Sequence, residues 1–217
     1  MTIVLNKKKK EYFEIPEGVW FKGDFTVEAF VLLPDNFSSW RTIMDFGNGP
    51  KSDNVVFALS EGWPFLAVLV ESSRVEFFGT GSIPVGTWAH LAGTLEGQKA
   101  ILYMNGAMLN TKECMPPRNV TRKANYIGKS NWEEKSFTTA YFRDIRLWQR
   151  ALNRDEIMKS MKGILPADAS LVGDWKIGIY NGVKTGGKEG SGKTEVIPEK
   201  SAKIINTLIT PIRYEHA

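Results

Sequence analysis

Short strand-like segments recur along most of this sequence, and their spacing restricts the fold more strongly than any other feature. Each segment is rich in β-branched and aromatic residues, and Gly, Pro, Asn or Ser interrupts the pattern about every eight to twelve residues. Apolar residues at alternate positions from Phe25 to Val31 share one strand face. The pattern predicts an all-β chain that forms an antiparallel sandwich or barrel. The clearest segments are FTVEAFVLL (25–33), NVVFALS (54–60), FLAVLVES (65–72), RVEFFG (74–79), WAHLAGTL (88–95) and KAILYMNG (99–106).

Two hairpin turns and one helix are predicted between and after these strands. Asn105-Gly106 lies between apolar flanks, and both residues accept the positive φ that a tight hairpin turn needs. A second Gly-containing turn is predicted in LEGQK (95–99). Asn153 and Glu156 have the spacing of a capping box, and Gly163 can end the helix, so we expect one short helix near 154–162. Further strands are predicted at 125–130, 139–149 and 170–178.

The length and composition favour a globular protein. The chain has 217 residues, a formal net charge of +4 and a single cysteine, Cys114, which rules out an intrachain disulfide framework. No apolar run reaches the ~18 residues of a membrane-spanning helix. Because the N-terminal charges follow a short apolar stretch, the sequence does not predict a signal peptide. We therefore expect a cytoplasmic protein, or an extracellular one if this sequence is a trimmed form of a longer chain.

Residues 187–194 read GKEGSGKT and match the phosphate-loop pattern. A working phosphate loop connects a buried strand to the N-terminus of a helix. Here a polar, Gly-rich run precedes the match, and Pro198 would interrupt any helix that follows it. We predict a surface loop that binds no ATP.

Several segments, taken in order, resemble the laminin G-like and concanavalin A-like lectin-glucanase jelly-roll domains. The resemblance lies in YFEIP, FTVEAFVLLPD, TIMDFGN, IPVGTWAHLAGTLEGQKAILYMNG, YIGKSN, AYFRDIRLWQRALNRDEI and LVGDWKIG, which together span about residues 11–180. It implies one jelly-roll domain over residues 1–217, with a Gly/Lys-rich loop at 181–194 and a closing segment at 195–217. At Arg143-Asp144 the family frequently has two acidic residues instead.

Catalytic chemistry finds little support in the sequence. Glycosidases of this superfamily carry closely spaced carboxylates along one strand, and retaining enzymes need two of them about 5–5.5 Å apart. The nearest match, Glu71 and Glu76, would point to opposite faces of a strand. We interpret His90 as a structural histidine within its strand, and Cys114 has no histidine near it in the sequence. We expect no enzymatic activity.

No cofactor is expected, although calcium is an alternative that the family resemblance raises. Calcium needs six to eight oxygen ligands. Asp45, Asp53 and Asn54 lie in or beside the segment MDFGNGPKSDN and are the candidate ligands. No tight acidic cluster accompanies them, so the opposite interpretation is a solvated loop.

Ligand binding is the remaining class of function. Trp88, Trp148 and Trp175 lie within strand patterns and are interpreted as core. Tryptophans outside those patterns can present a ring to a sugar, with polar neighbours that bond its hydroxyl groups, or can cap the end of the core. The candidate binding residues are Trp40, Arg41, Asp53, Trp63, Asn131 and Trp132.

The leading hypothesis is a non-catalytic, lectin-like module that binds carbohydrate. The alternatives are a structural or protein-interaction module, in which loops or a sheet edge dock another protein, and a divergent glycosidase. The partner is therefore a glycan or a protein. Nucleic acid is not expected, because no basic patch with interleaved aromatic residues is present.

Overall fold

The computed structural model describes residues 3–35, 40–50, 52–132 and 137–175, which form two antiparallel sheets packed face to face. Within these residues, one 3₁₀ turn (Lys7–Lys9) and one helix, α1 (Arg154–Ser160), accompany the strands. The prediction of an antiparallel β-sandwich with one short helix is confirmed. The strands are β1 (Ile3–Leu5), β2 (Phe13–Ile15), β3 (Phe25–Leu32), β4 (Trp40–Gly47), β5 (Val55–Ser60), β6 (Trp63–Val70), β7 (Ser73–Phe78), β8 (Ala89–Glu96), β9 (Lys99–Met104), β10 (Ala107–Glu113), β11 (Ala124–Ile127), β12 (Ala140–Trp148) and β13 (Leu171–Trp175).

The strand order places sequence neighbours and distant segments side by side. The seven-stranded sheet has the order β1-β12-β3-β8-β9-β10, and β13 also pairs with β12. The six-stranded sheet has the order β2-β11-β4-β5-β6-β7. The facing sides of the two sheets bury the main core, in which alternate residues of β3 from Phe25 to Val31 are fully buried. The alternation read from the sequence therefore identifies the core face of β3 correctly.

Positive backbone φ angles explain both predicted hairpins. Asn105 and Gly106 have φ of 51° and 76° and join β9 to β10. Gly97 has φ of 57° in the turn between β8 and β9. A side chain with a Cβ adopts this left-handed region at a cost, and Asn and Gly adopt it most readily. Both hairpin predictions are confirmed.

Helix α1 covers part of the outer face of the seven-stranded sheet. Asn153 and Glu156 form the predicted capping box, in which the Asn153 side chain accepts from the Glu156 N–H and the Glu156 carboxylate accepts from the Asn153 N–H. Gly163 has φ of 77° and ends the turn after the helix. A second apolar cluster lies beneath this segment and contains Ala92, Tyr103, Trp148, Leu152 and Ile157.

Two sequence interpretations of β4 are wrong. Trp40, placed outside the strand patterns, is the first residue of β4, and Asp45, interpreted as part of or beside a solvated loop, lies inside the same strand with no exposed surface. The segment from Trp40 to Gly47 is broken by Arg and Asp, which hid its strand character. The GKEGSGKT match, the loop at 181–194 and the segment at 195–217 lie outside the described residues.

Candidate functional site

Four aromatic residues lie at one end of the outer face of the six-stranded sheet. We call Trp40, Trp63, Phe65 and Phe78 the aromatic corner. The ring centroids of Trp40 and Phe65 are 4.9 Å apart, and those of Phe65 and Phe78 are 5.0 Å apart. The register explains the contacts, because Phe65 lies opposite Phe78, and Trp63 lies two residues before Phe65 on the same strand face.

Two rings of the aromatic corner are open to solvent. Trp63 and Phe78 are each 43% exposed, whereas Phe65 is buried. The register makes Trp63 and Phe78 diagonal neighbours, about 7–8 Å apart at their backbones. The pair therefore offers two adjacent apolar surfaces on one side of the sheet.

Trp63, which the sequence pattern placed outside the strands, belongs to a strand. The turn before β6 consists of Glu61 and Gly62, which have φ of 50° and 83°. Trp63 is the first residue of β6 and pairs with Ser60 across the hairpin. It is presented outward by strand alternation rather than by the turn itself.

Trp132 packs on the same sheet face at a distance from the exposed pair. With Trp40, it packs against an apolar cluster of β5 and β6 that includes Ala67 and Leu69. The Arg74 guanidinium lies 5.5 Å from the centroid of the Trp132 ring, and Arg74 forms an ion pair with Glu76. Arg74 and Glu76 are both exposed on β7, so charged groups lie on the same strand face as Phe78.

Arg41 does not join the aromatic corner. Its guanidinium is almost fully buried, and Nη2 donates to the backbone oxygen and to the carboxylate of Asp35, at 2.8 and 2.6 Å. The strand register places Arg41 on the opposite face of β4 from Trp40. The structure therefore separates Arg41 from the ring beside which the sequence places it.

Asn131 belongs to a buried hydrogen-bond network centred on Asp45. The Asp45 carboxylate accepts from Asn54 Nδ2 and Asn131 Nδ2 at 2.9 Å each, from Ser130 Oγ at 3.0 Å, and from the Asn131 N–H at 2.7 Å. Burial raises the pKa of Asp45, and these hydrogen bonds only partly oppose the shift. The network fixes residues 130–132 on the sheet face, which makes Asn131 a structural residue.

Asp53 lies in a different network, built around two arginines. Arg118 Nε and Nη2 donate to the two Asp53 carboxylate oxygens at 2.8 Å each, and Arg118 Nη1 donates to Glu71 at 3.0 Å. The hydrogen bond from Arg118 lowers the pKa of Asp53. Arg122 is fully buried and donates to the Asp53 backbone oxygen at 2.8 Å, and burial lowers its pKa to about 10.

The candidate calcium ligands do not fit a calcium ion. The side-chain oxygens of Asp45 face N–H and O–H donors, and those of Asp53 face Arg118. Calcium would need these oxygens free. Among the described residues, no group of three or more His, Cys, Asp or Glu is placed to hold a metal ion.

His90 is fully buried in a charged cluster beneath α1. His90 Nε2 lies 3.2 Å from Glu28 Oε2, and the other Glu28 oxygen accepts from Ser160 at 2.5 Å and from Trp148 Nε1 at 3.2 Å. Burial alone would raise the pKa of Glu28, but hydrogen bonding and charge from His90, together with Arg146 and Ser160, hold it below its ordinary value. The cluster has no exposed side chain that could reach a substrate, which supports a structural role for His90.

Sequence reasoning missed Phe78 and the environment of Trp88. Phe78 was recognised only as part of a strand, although its position opposite Phe65 follows once the hairpin register is known. Trp148 and Trp175 are buried as expected, but Trp88 precedes β8 and is half-buried beside Arg143. Strand alternation from the buried Ala89 would have placed Trp88 on the outer face.

Comparison of the whole sequence with models of known protein families identifies the family of this chain. A family model described as the concanavalin A-like lectin/glucanases superfamily matches residues 7–158, well over half of the chain. The chain belongs to this superfamily. The collinear resemblance read from the sequence is thereby confirmed.

Solved structures of the superfamily's fold share the sandwich at low sequence identity. The chain is similar to a heptameric SAP-like pentraxin from Limulus polyphemus, with 16% identity, a TM-score of 0.55, and coverage of 73% of this chain and 80% of that one. It is also similar to domain 4 of AbnA, an extracellular GH43 arabinanase from Geobacillus stearothermophilus solved with arabinotriose, with 20% identity, a TM-score of 0.56 and coverage of 73% and 75%.

A third structural match is part of a laminin chain. Domains LG4-5 of the mouse laminin alpha1 chain match with 12% identity and a TM-score of 0.56, over 71% of this chain and 43% of that one. No curated protein matches the sequence significantly. The fold is the one shared by these domains, within a superfamily whose description names both lectins and glucanases. In the described part of the chain, no helix has the length and apolar character needed to cross a bilayer.

Proposed function

We propose that this superfamily member is a non-catalytic module that binds carbohydrate at the aromatic corner. The observation that carries the proposal is the pair of exposed rings, Trp63 and Phe78, on one face of the six-stranded sheet. A large apolar ring left in water costs free energy, and a flat sugar face is a suitable partner for it. Two adjacent rings favour an oligosaccharide over a single sugar unit.

Polar groups beside the rings supply hydrogen bonds to sugar hydroxyls. Ser60 lies between Trp40 and Trp63 in the strand register, and it is only half-buried. Arg74 and Glu76 are exposed farther along β7 on the same face as Phe78. An apolar platform with a few polar groups at its border is the usual composition of a small-ligand site.

The comparisons support the ligand class without identifying the ligand. Domain 4 of the arabinanase was solved with arabinotriose, and the superfamily description names lectins. Glu71 and Glu76 are the two described acidic residues whose spacing is most similar to that of glycosidase carboxylates. Both already form ion pairs, Glu71 with Arg118 and Glu76 with Arg74. Two free carboxylates that face each other would be required for hydrolysis.

Replacing Trp63 or Phe78 with alanine should abolish glycan binding and lower the free energy of unfolding only modestly. Each ring is 43% exposed, so alanine removes part of the packing that a buried ring would lose, and we expect a cost of about 1–2 kcal/mol. Binding to immobilised glycans and thermal melting should be measured on the same samples. Met108→Ala is the matched control, because Met108 is 60% exposed on a strand of the other sheet.

The identity of the glycan should be sought on a glycan array, with and without a calcium chelator. We expect equal binding in both conditions, because the candidate calcium ligands are occupied by internal donors. Absence of binding to every glycan in both conditions would reject the proposed function. Binding that survives both alanine substitutions would reject the aromatic corner as the site.

A protein ligand is the second candidate, and the edge position of β7 favours it. β7 is the last strand of the six-stranded sheet, and Phe78 is exposed at its end. An edge strand beside apolar rings can accept a strand from a partner protein. A stoichiometric protein partner, lost on Phe78→Ala and found together with a blank glycan array, would establish this alternative.

The phosphate-loop match should have no nucleotide affinity. We expect no thermal shift with magnesium and ATP, and no effect of Lys193→Ala on melting or on glycan binding. A shift that occurs in the original chain and disappears in the variant would contradict this prediction.

A further inference from the structure

In the described part of the chain, α1 covers only part of the outer face of the seven-stranded sheet. The covered part includes Trp148 and Tyr103 beneath the helix. Beyond it, Phe30 on β3 and Tyr141 on β12 lie on neighbouring strands, Trp88 directly precedes β8, and all three side chains are half-buried. Strand alternation places these residues on the side of the sheet that faces away from the core.

Arg143 lies between two of these aromatic rings. Its guanidinium carbon is 4.3 Å from the Phe30 ring centroid and 4.7 Å from the Trp88 ring centroid. Contact with both rings restricts the orientation of the planar guanidinium, and its N–H groups remain its hydrogen-bond donors. An arginine held in this way presents donors in a geometry that matches a carboxylate.

The positive charge of Arg143 is not neutralised by its surroundings in the described part of the chain. Arg143 has no ion pair with an acidic residue there, and its buried Nε has no hydrogen-bond partner. The adjacent Asp144 has φ of 50° at an irregularity in β12, and its carboxylate lies 3.4 Å from Arg146 instead. A cation that contacts two aromatic rings and has no counter-ion among the described residues suits an anionic ligand.

The other described charged groups near this surface do not neutralise the positive charge of Arg143. His90 is opposite Phe30, with 4.8 Å between their ring centroids, and it faces Glu28 below the surface. Among the described residues, a basic segment also lies close to Tyr141, because β1 pairs with this part of β12 and leads directly into Lys7–Lys9. The Lys7 N–H bonds to Thr139 Oγ1 at 3.0 Å, which holds the basic turn near the start of β12.

We propose that Arg143, Trp88 and Tyr141 form a second binding site, which takes the carboxylate of an acidic sugar. The carboxylate pairs with the edge of the Arg143 guanidinium, and the sugar ring lies against the partly exposed aromatic surface. The half-buried Tyr141 provides a hydroxyl group and an aromatic face beside it. The site is on the opposite sheet from the aromatic corner, so it does not depend on the proposed function.

Binding should be followed at the indole N–H signal of Trp88 in ¹⁵N-labelled full-length protein, assigned with Trp88→Phe. Methyl glucuronide should shift this signal in a saturable way, and methyl glucoside, its neutral counterpart, should not. Arg143→Gln should weaken the glucuronide affinity about tenfold or more, because charge-assisted hydrogen bonds are the stronger class. Arg143→Lys should also lose most of the affinity, since lysine keeps the charge but not the planar stack.

Arg154→Gln is the matched control for net charge, because Arg154 is exposed on α1 and away from the three proposed residues. It should leave the response of Trp88 unchanged, as should Trp63→Ala on the other sheet. No saturable shift with the glucuronide, an equal response to the glucoside, or an equal response to sodium sulfate would each overturn the acidic-sugar site. Melting curves of the Arg143 variants should match that of the original protein, and a variant that melts early is replaced in the comparison by Tyr141→Phe, which keeps the Trp88 signal and should also weaken the response to the glucuronide.

Discussion

Glu28→Ala is expected to lower the free energy of unfolding by about 3–5 kcal/mol, because it removes the acceptor at the centre of a buried charged cluster. Glu28 Oε1 accepts from Ser160 and Trp148, and Glu28 also lies within ion-pair distance of His90 and Arg146. All of these side chains are buried. Their donors would lose a partner that water cannot replace.

The loss also weakens the attachment of α1 to the sheet. Ser160 is the last residue of α1, and its hydroxyl bonds directly to Glu28 on β3 at 2.5 Å. Arg146 has further acidic neighbours in Asp174 and Asp144, at 3.3 and 3.4 Å, so it keeps part of its compensation. We therefore expect local loosening near α1, observable as faster amide hydrogen exchange at residues 154–160, in addition to global destabilisation.

The dependence on pH follows from the lowered pKa of Glu28. A carboxylate whose folded-state pKa lies below its unfolded value of about 4.3 contributes stability above that value. The contribution is lost as the pH falls through the folded-state pKa. The stability difference between the original chain and Glu28→Ala should thus be complete at neutral pH and shrink below about pH 4.

Denaturant unfolding of both proteins across this pH range measures the effect. Glu96→Ala is the control, because Glu96 is exposed at the end of β8 in the same sheet. A Glu28→Ala protein as stable as this control at neutral pH would show that the cluster contributes nothing to stability.

The fold was largely predictable because strand alternation and turn chemistry act locally. The core face of β3, the turn at Asn105-Gly106 and the capping box at Asn153 each depend on residues within a few positions of one another. The strands that were missed are short, like β1 and β2, or interrupted by charged residues, like β4. Their strand structure depends on pairing with segments far away in the sequence.

The site was less predictable, because exposure is decided by contacts between distant segments. Trp40, Trp63 and Trp132 all have polar sequence neighbours, but only Trp63 is largely exposed. Phe65 packs against Trp40 from β6, and Trp132 lies on residues of β5 and β6. Arg41 and Asn131 were selected for their polarity, and both turn inward to partners on other elements. That the rings act in ligand binding stays a prediction.

Asp45→Ala is expected to have the second large effect and to lower the free energy of unfolding by at least about 3 kcal/mol. Each unsatisfied buried donor costs about 1–3 kcal/mol, and the substitution leaves donors on Asn54, Ser130 and Asn131 without their acceptor. We do not expect the costs of the separate donors to add up in full, because some of these groups can rearrange and find other partners. Asp24→Ala is the control, because the exposed Asp24 accepts a single hydrogen bond from the Gly97 N–H.

The same substitution should respond to acid in the opposite direction from Glu28→Ala. Burial raises the pKa of Asp45, so its contribution to stability is largest below the unfolded value of about 3.9 and declines as the pH rises through the folded-state pKa. The difference in the free energy of unfolding between the original chain and Asp45→Ala should therefore increase as the pH falls from neutral. A gap that narrows would show that the four hydrogen bonds outweigh burial at this carboxylate.

Asp45→Ala should also release residues 130–132 from the sheet face and loosen Trp132. Asp45 accepts from both Ser130 and the Asn131 backbone, whereas Trp132 itself contacts the face through apolar packing and through Arg74. Glycan binding at Trp63 and Phe78 should persist in folded Asp45→Ala protein, because neither ring contacts this network. Loss of binding in protein that is still folded would instead show that the ligand extends along β7 from Phe78 to Trp132.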